Sequence, residues 1–173
     1  MSLLSTARYV QALTRQKSLS DAEWLERCDE LAAQQPVMFY ELLTFPRDGV
    51  PVEISRSLID YLSVLQWVTS AASPSVAAPV SLPEFQAAIK RTMQFFHALS
   101  TDDHAHFERM IKAWCGGMDG RGGDVVWTGC IAVLRAPELT AHPLFKPMVV
   151  TLCGIADVYA NRLQVENLQR DIS

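Results

Sequence analysis

The helical nature of the chain is clearest in residues 19–32, which read LSDAEWLERCDELA. Ser20 is a good N-cap residue and Glu23 follows three positions later, so the two residues can satisfy each other's backbone N–H groups as a capping box. After this start, apolar side chains recur every three or four residues, as on one face of a helix. The predicted core-facing residues of this helix are Trp24, Leu25, Cys28, Leu31 and Ala32.

Helical spacing continues on both sides of this stretch. A first helix is predicted to end near Gln16, and Pro36 is predicted to open a short helix over residues 37–43. Residues 45–51 contain two prolines and a glycine, which predicts a turn-rich loop. A long helix is then predicted from Ile54 to about residue 72, on an apolar stripe that runs to Val68.

The C-terminal half repeats the same signals. Ser81 and Glu84 have capping-box spacing and precede a helix whose predicted buried stripe is Phe85, Ile89, Met93, Phe96 and Leu99. Pro143 suits the first turn of a last helix that runs to about Leu168. Residues 124–135 fit a helix or a strand, and we predict a helix because a lone strand would have no partner.

These patterns predict an all-α fold for residues 1–173, a compact bundle of about six to eight helices. Residues 70–81 are rich in Pro, Ala and Ser and are predicted to form a crossover loop. This loop divides the chain into possible helical sub-halves, 1–70 and 82–173. We favour a single domain, because each half alone would have only a thin core.

The bulk composition narrows the functional classes. Hydrophobic residues make up 49% of the 173 residues and the formal net charge is -4, so the chain is neither disordered nor basic. Without a basic stripe, nucleic-acid binding is not expected. The uncharged stretch 61–83 contains Pro74 and Pro79, so it cannot be one apolar helix and no membrane insertion is expected.

Cysteine usage and the N-terminal residues predict a cytoplasmic location. None of Cys28, Cys115, Cys130 and Cys153 lies close enough to another to form a CxxC motif. The N-terminus lacks the basic and apolar regions of a secretory signal. The cysteines are therefore predicted to be reduced, buried, small hydrophobic residues.

The candidate metal site combines His104, Glu108 and His142. His104 and Glu108 are four residues apart, which places them on one face of a helix. A zinc site needs three or four ligands, so His142 is a candidate third ligand, and His97 lies just upstream. A structural role is the stronger interpretation, because HExxH and related motifs are absent and His104 borders an apolar stripe.

Other sites of chemistry are weakly supported. The glycine-rich stretch 116–124 has glycines at P-loop spacing, but Gly123 and Asp124 stand where a P-loop has Lys and Ser or Thr. A flexible loop between helices is the favoured interpretation. No GxSxG motif occurs. The chain is therefore predicted to have no cofactor and to lean away from enzymatic activity.

Several apolar segments predict self-association. Residues 37–43, 125–134 and 148–160 carry few charges on any face, so they form either the core or a homodimer interface. The leading functional hypothesis is a non-enzymatic helical binding or assembly protein that self-associates through apolar helices, with a protein partner possible. The alternatives are a small-molecule-binding bundle with a pocket between tryptophan-bearing helices, and a metal-dependent enzyme centred on His104 and Glu108.

Overall fold

The computed structural model describes residues 6–97, 104–116 and 142–172, and side chains over 7–71, 73–96, 109–115 and 142–166. These residues form seven helices, one single helical turn and no strand, so the predicted all-α class and helix number are confirmed. The elements are α1 (Thr6–Lys17), α2 (Asp21–Gln34), α3 (Pro36–Leu42), the single turn α4 (Thr44–Arg47), α5 (Val52–Ala72), α6 (Leu82–His97), α7 (His104–Gly116) and α8 (Phe145–Ile172).

The local signals at helix starts are largely confirmed. The Ser20 hydroxyl accepts from the Glu23 backbone N–H, and the Glu23 carboxylate accepts from the Ser20 N–H at 2.8 Å, so the capping box is complete. Pro36 opens α3 as predicted. The predicted loop at 45–51 is partly wrong, because its first residues belong to α4. Gly49 follows this turn with a φ of 93°, a backbone conformation that favours glycine.

Helix α5 is the central helix of the N-terminal half. It packs against α1, α2 and α3, and from Leu58 to Thr69 every side chain except Trp67 is buried. Its apolar stripe matches the prediction. The sequence pattern did not indicate a second buried stripe, in which polar residues recur every three positions: Asp60, Ser63, Gln66 and Thr69.

Helix α8 is a second buried helix and lies antiparallel to α6. Arg91 of α6 pairs with Asp157 at 2.6 Å, and Glu84 pairs with Arg162 at 2.7 Å. The helices approach closely where Gly154 faces Ile89, since a Cβ on the glycine would clash with the isoleucine side chain. Almost every residue from 148 to 160 is buried within one chain, so this segment no longer requires a dimer interface. Residues 125–134 lie outside the described part of the chain.

Two residues predicted to be in the core are exposed. Leu25 is 59% exposed, because the side of α2 that meets α3 and α5 is narrower than predicted and is filled by Cys28 and Leu31. Met93 is 55% exposed, and Thr92 lies instead on the buried line of α6 with Phe85, Ala88 and Phe96.

The connection between α5 and α6, residues 73–81, is packed against the helices along much of its length. Ser73, Val76, Ala77 and Val80 are buried. On one side, the Gln35 amide donates to the Ala77 carbonyl at 2.9 Å and accepts from the Val80 N–H at 3.0 Å. Whether the whole chain is one domain stays a prediction, but this connection is held by residues from both sides of it.

Arg162 holds the other side of this connection. Its guanidinium donates to the carbonyls of Val76, Ala78 and Pro79 and also to the Glu84 carboxylate. The Ser81 hydroxyl accepts from the Glu84 N–H, and a hydrogen bond from the Ser81 backbone helps to lower the pKa of the Glu84 carboxyl group, so the contacts of the predicted second capping box are present beside those of Arg162. The C-terminal part of α8 is thus docked at Arg162.

None of the helices in the described part of the chain has both the length and the hydrophobicity needed to span a bilayer.

Candidate functional site

Of the three predicted metal ligands, only His142 has a side chain within the described part of the chain. His104 and Glu108 lie one turn apart on α7, but their side chains fall outside the described set, as does that of His97. His142 is half-buried in the turn before α8, and its Nδ1 accepts from the Leu144 backbone N–H at 3.1 Å. Among the described residues there is no group of three or more metal-binding side chains. The metal site therefore stays a prediction.

The glycine-rich stretch and the cysteines are the other candidates from the sequence, and the structure describes only part of them. Residues 117–124 of the glycine-rich stretch lie outside the described residues. Cys28, Cys115 and Cys153 are buried, in line with their predicted role as small hydrophobic residues. Burial, reinforced by the nearby Asp60 carboxylate, raises the pKa of Cys28 to about 11. This thiol is therefore a poor nucleophile at neutral pH.

The buried carboxylate of Asp60 is occupied by structural partners. Its Oδ1 accepts from the Gln16 amide at 3.0 Å and from the Trp24 indole N–H at 2.8 Å. The Gln16 carbonyl oxygen in turn accepts from the Ser63 hydroxyl, which itself accepts from Arg27 at 2.9 Å. This network ties α1, α2 and α5 together, and it leaves Asp60 in no position to meet a substrate.

A second buried polar cluster centres on Gln66. Its carbonyl oxygen accepts from the Tyr159 hydroxyl at 2.6 Å and from the Gln35 amide at 3.0 Å, and its amide donates to the Ala77 carbonyl at 3.0 Å. Burial raises the pKa of Tyr159 far above its ordinary value, so this hydroxyl stays protonated as a donor. The cluster joins α5 to α8 and to the 73–81 connection, which is a structural role.

The exposed face of α1, α2 and α5 has a different character. The Arg15 guanidinium lies over the ring of the half-buried Trp67, 4.2 Å from the ring centroid, which is a cation–π contact. The Arg15–Trp67 pair forms a ridge with an open groove on each side. We call these the basic groove and the mixed groove.

The basic groove lies between α1 and the C-terminal end of α5 and has a volume of about 470 Å³. Its lining residues are Arg8, Gln11, Ala12, Arg15, Trp67, Val68 and Ala71. Arg8 and Arg15 are two helical turns apart on the same side of α1, and none of the lining residues carries a carboxylate. Helix α1 as a whole contains Arg8, Arg15 and Lys17 and no acidic residue. The groove is therefore electropositive, although the whole chain is acidic.

The mixed groove lies between the C-terminal end of α1 and the side of α2, with a volume of about 380 Å³. Its lining residues are Arg15, Gln16, Leu19, Glu23, Glu26, Arg27, Glu30 and Trp67. Three carboxylates face two guanidinium groups here, and Arg27 already pairs with Glu30 at 2.7 Å. The exposed face thus carries positive charge on one side of the ridge and an acidic excess on the other.

This face was not predicted as a site from the sequence. The spread of Arg8, Arg15 and Lys17 is visible in the sequence, but it is too small to indicate a nucleic-acid site, and the sequence does not show that Trp67 lies beside Arg15. The small-molecule hypothesis predicted a pocket between tryptophan-bearing helices. The basic groove and the mixed groove are both open, and Trp67 is the one tryptophan that lines each of them.

Comparisons with known proteins add no family to this description. No protein-family model, no curated protein and no solved structure matches the chain. Function therefore has to be argued from the side chains themselves.

Proposed function

We propose that this chain is a non-enzymatic binding and assembly protein that self-associates as a homodimer. The observation that carries the proposal is the pairing of opposite charges across the Arg15–Trp67 ridge on an exposed face. The buried reactive groups support the same reading. Asp60 is held by hydrogen bonds from Gln16 and Trp24, and the thiol of Cys28 is buried with a raised pKa.

The proposed association uses a charged face rather than apolar helices. Residues 148–160, one of the apolar segments behind the sequence hypothesis, are enclosed within the chain. Residues 37–43 leave Tyr40 exposed, but the other exposed large apolar side chains of the described residues are spread over several helices. Scattered apolar side chains are normal on a monomer surface, whereas a face with two opposite charged halves can complement a copy of itself.

A second candidate function is the binding of a small anionic ligand in the basic groove. Its volume of about 470 Å³ lies within the usual range for ligand sites. Trp67 offers an aromatic surface, and Arg8 and Arg15 offer charge-assisted donors. This candidate predicts a rise in melting temperature with an aromatic carboxylate, a rise that Arg15→Gln removes.

The metal-dependent enzyme at His104 and Glu108 remains a third, weaker proposal. We also propose a reducing, cytoplasmic location, which is in line with the burial of Cys28, Cys115 and Cys153.

The experiment that tests the leading proposal is light scattering on the purified full chain at several concentrations, with elemental analysis of the same sample. A dimeric mass without stoichiometric metal is the expected result. A monomeric mass at every concentration would contradict self-association. Stoichiometric zinc, iron or manganese would instead favour the site at His104 and Glu108.

A further inference from the structure

We infer that two copies of the chain pair through the α1–α2 face, so that the basic groove of each copy receives the acidic side of α2 from the other. This inference rests on the proposed self-association and names its surface. Arg8 and Arg15 of one copy would lie against Glu26 and Glu30 of the other. These four charged side chains are exposed in the single chain, and Trp67 at the centre of the face is half-buried.

The spacing of the charges supports this pairing. Arg8 and Arg15 are seven residues apart on α1, which corresponds to about 10 Å along the helix axis. Their proposed partners, Glu26 and Glu30, are four residues apart on α2, which corresponds to about 6 Å along that helix axis. The long side chains of Arg8 and Arg15 can converge on these two carboxylates when the helices lie side by side.

Symmetry supports it as well. A two-fold interface uses one patch on both copies, so that patch must complement itself. Here the basic and acidic halves adjoin across the Arg15–Trp67 ridge. A two-fold axis through the ridge brings the basic half of each copy onto the acidic half of the other, and both contacts form at once.

The centre of the face supplies apolar area. Trp67 and Leu19 are half-buried, and Ala71 is exposed at the edge of the basic groove. Aromatic residues and arginine are enriched in the centres of protein interfaces, where they displace water. The charged side chains form the rim of this face, so the dimer should be reversible. Its affinity should fall as salt is added, because at about 0.1 M ionic strength attraction between charges more than about 10 Å apart is largely screened.

Paired charge reversal tests the inference. One variant carries Arg8→Glu and Arg15→Glu, and the other carries Glu26→Arg and Glu30→Arg; Glu23 is left intact because it caps α2. In each variant alone, positions 8 and 15 carry the same sign of charge as positions 26 and 30, so we expect its dimer dissociation constant to rise about a hundredfold or more. An equal mixture of the two variants pairs opposite charges throughout and should recover the dimeric mass.

The control is a double variant, Arg47→Glu with Lys90→Glu, which lowers the net charge by the same amount as Arg8→Glu with Arg15→Glu, at exposed positions on α4 and α6. Sedimentation velocity at low and high salt reads the mass, and circular dichroism checks that each variant is folded. A dimer lost in both reversal variants, retained in the control and recovered in the mixture supports the inference.

The contrary outcomes are distinct. A wild-type dimer that survives charge reversal would leave self-association standing and overturn this interface. Reversal variants that stay monomeric in the mixture, or a control that dissociates equally, would also overturn it. A monomeric wild type at low salt would contradict the proposed self-association itself.

Discussion

Gln66 and Trp67 are neighbours on α5, yet their environments are the reverse of what their polarity predicts. Gln66 is 2% exposed and lies among hydrogen-bonding partners from α2, α8 and the 73–81 connection. Trp67 is half-exposed beneath the Arg15 guanidinium, between the two grooves. The polar side chain of Gln66 is thus buried, and the aromatic ring of Trp67 is partly exposed to solvent.

The difference separates two uses of polar chemistry in this molecule. Around Gln66, each hydrogen-bonding group meets a protein partner, so the cluster fixes how α5, α8 and the connection meet. Around Trp67, arginine and glutamate side chains line open grooves where solvent or another chain can reach them. Substitutions in the first region should change folding stability, and substitutions in the second should change association.

The largest loss of stability is expected from Gln66→Ala. The change leaves the Tyr159 hydroxyl, the Gln35 amide and the Ala77 carbonyl with fewer partners inside the protein, and we expect the free energy of unfolding to fall by about 3–4 kcal/mol. The matched control is Gln34→Ala, because Gln34 is exposed and meets only the edge of the cluster at 3.3 Å. Urea unfolding measures both. A loss below about 1 kcal/mol for Gln66→Ala would contradict the structural role of the cluster.

A smaller loss, about 2 kcal/mol at neutral pH, is expected from Arg162→Met. Methionine keeps part of the apolar stem but removes the donors to Glu84 and to the carbonyls of Val76 and Ala78. Loss of those donors should also make the 73–81 connection open more readily. Hydrogen exchange of its backbone amides reports that opening directly. Unchanged exchange rates would show that Arg162 does not hold the connection.

The same pair gives a pH signature. The hydrogen bonds from Arg162 lower the pKa of Glu84 below its ordinary value of 4.5. A carboxyl group with a lowered folded-state pKa stabilises the fold above its unfolded pKa, and that contribution is lost as pH falls through the folded value. The stability difference between wild type and Arg162→Met should therefore be constant near neutral pH and narrow below about pH 4.5. Denaturation at a series of pH values measures it.

Local signals account for the parts of this fold that could be predicted from the sequence. Ser20 and Glu23 are three residues apart, and their capping box formed as predicted. The same spacing at Ser81 and Glu84 also predicted contacts that are present, but it did not indicate that Arg162, 78 residues away, binds the Glu84 carboxylate as well. A partner that is distant in sequence cannot be anticipated from a local motif.

The exposed face of α1, α2 and α5 could not be predicted from the sequence for the same reason. The two-turn spacing of Arg8 and Arg15 is visible on α1, but its position beside Trp67 depends on how α1 packs against α5. The apolar stripe of α5 is enough to predict a helix, so the sequence pattern does not show that the polar stripe of the same helix is also buried. The fold class needed only periodicity, whereas the site needed helix packing.

The two arginine-stacked tryptophans differ in their polar contacts. Arg56 lies over Trp24, as Arg15 lies over Trp67, but the Trp24 indole N–H also donates to the buried Asp60 carboxylate. Phenylalanine keeps a ring for the arginine and removes that donor. Trp24→Phe should therefore cost about 1.5–2 kcal/mol of folding stability, and Trp67→Phe about 0.5 kcal/mol. Equal losses in thermal and urea unfolding would contradict the distinction between the two regions.

The smallest effect on folding is expected where the effect on association is large. Arg8→Gln with Arg15→Gln removes both charges of the basic groove but keeps polar side chains at exposed positions of α1. Exposed charges contribute little to folding, so the free energy of unfolding of the monomer should change by less than about 0.5–1 kcal/mol. The salt dependence of self-association should nevertheless flatten, because the charges that salt screens are gone. Unfolding at high salt, where the proposed dimer is expected to dissociate, isolates the first quantity, and sedimentation across a salt series gives the second. A variant that loses folding stability while keeping a salt-sensitive dimer would place the Arg15–Trp67 contact with the structural cluster of Gln66 and remove the basic groove from the interface.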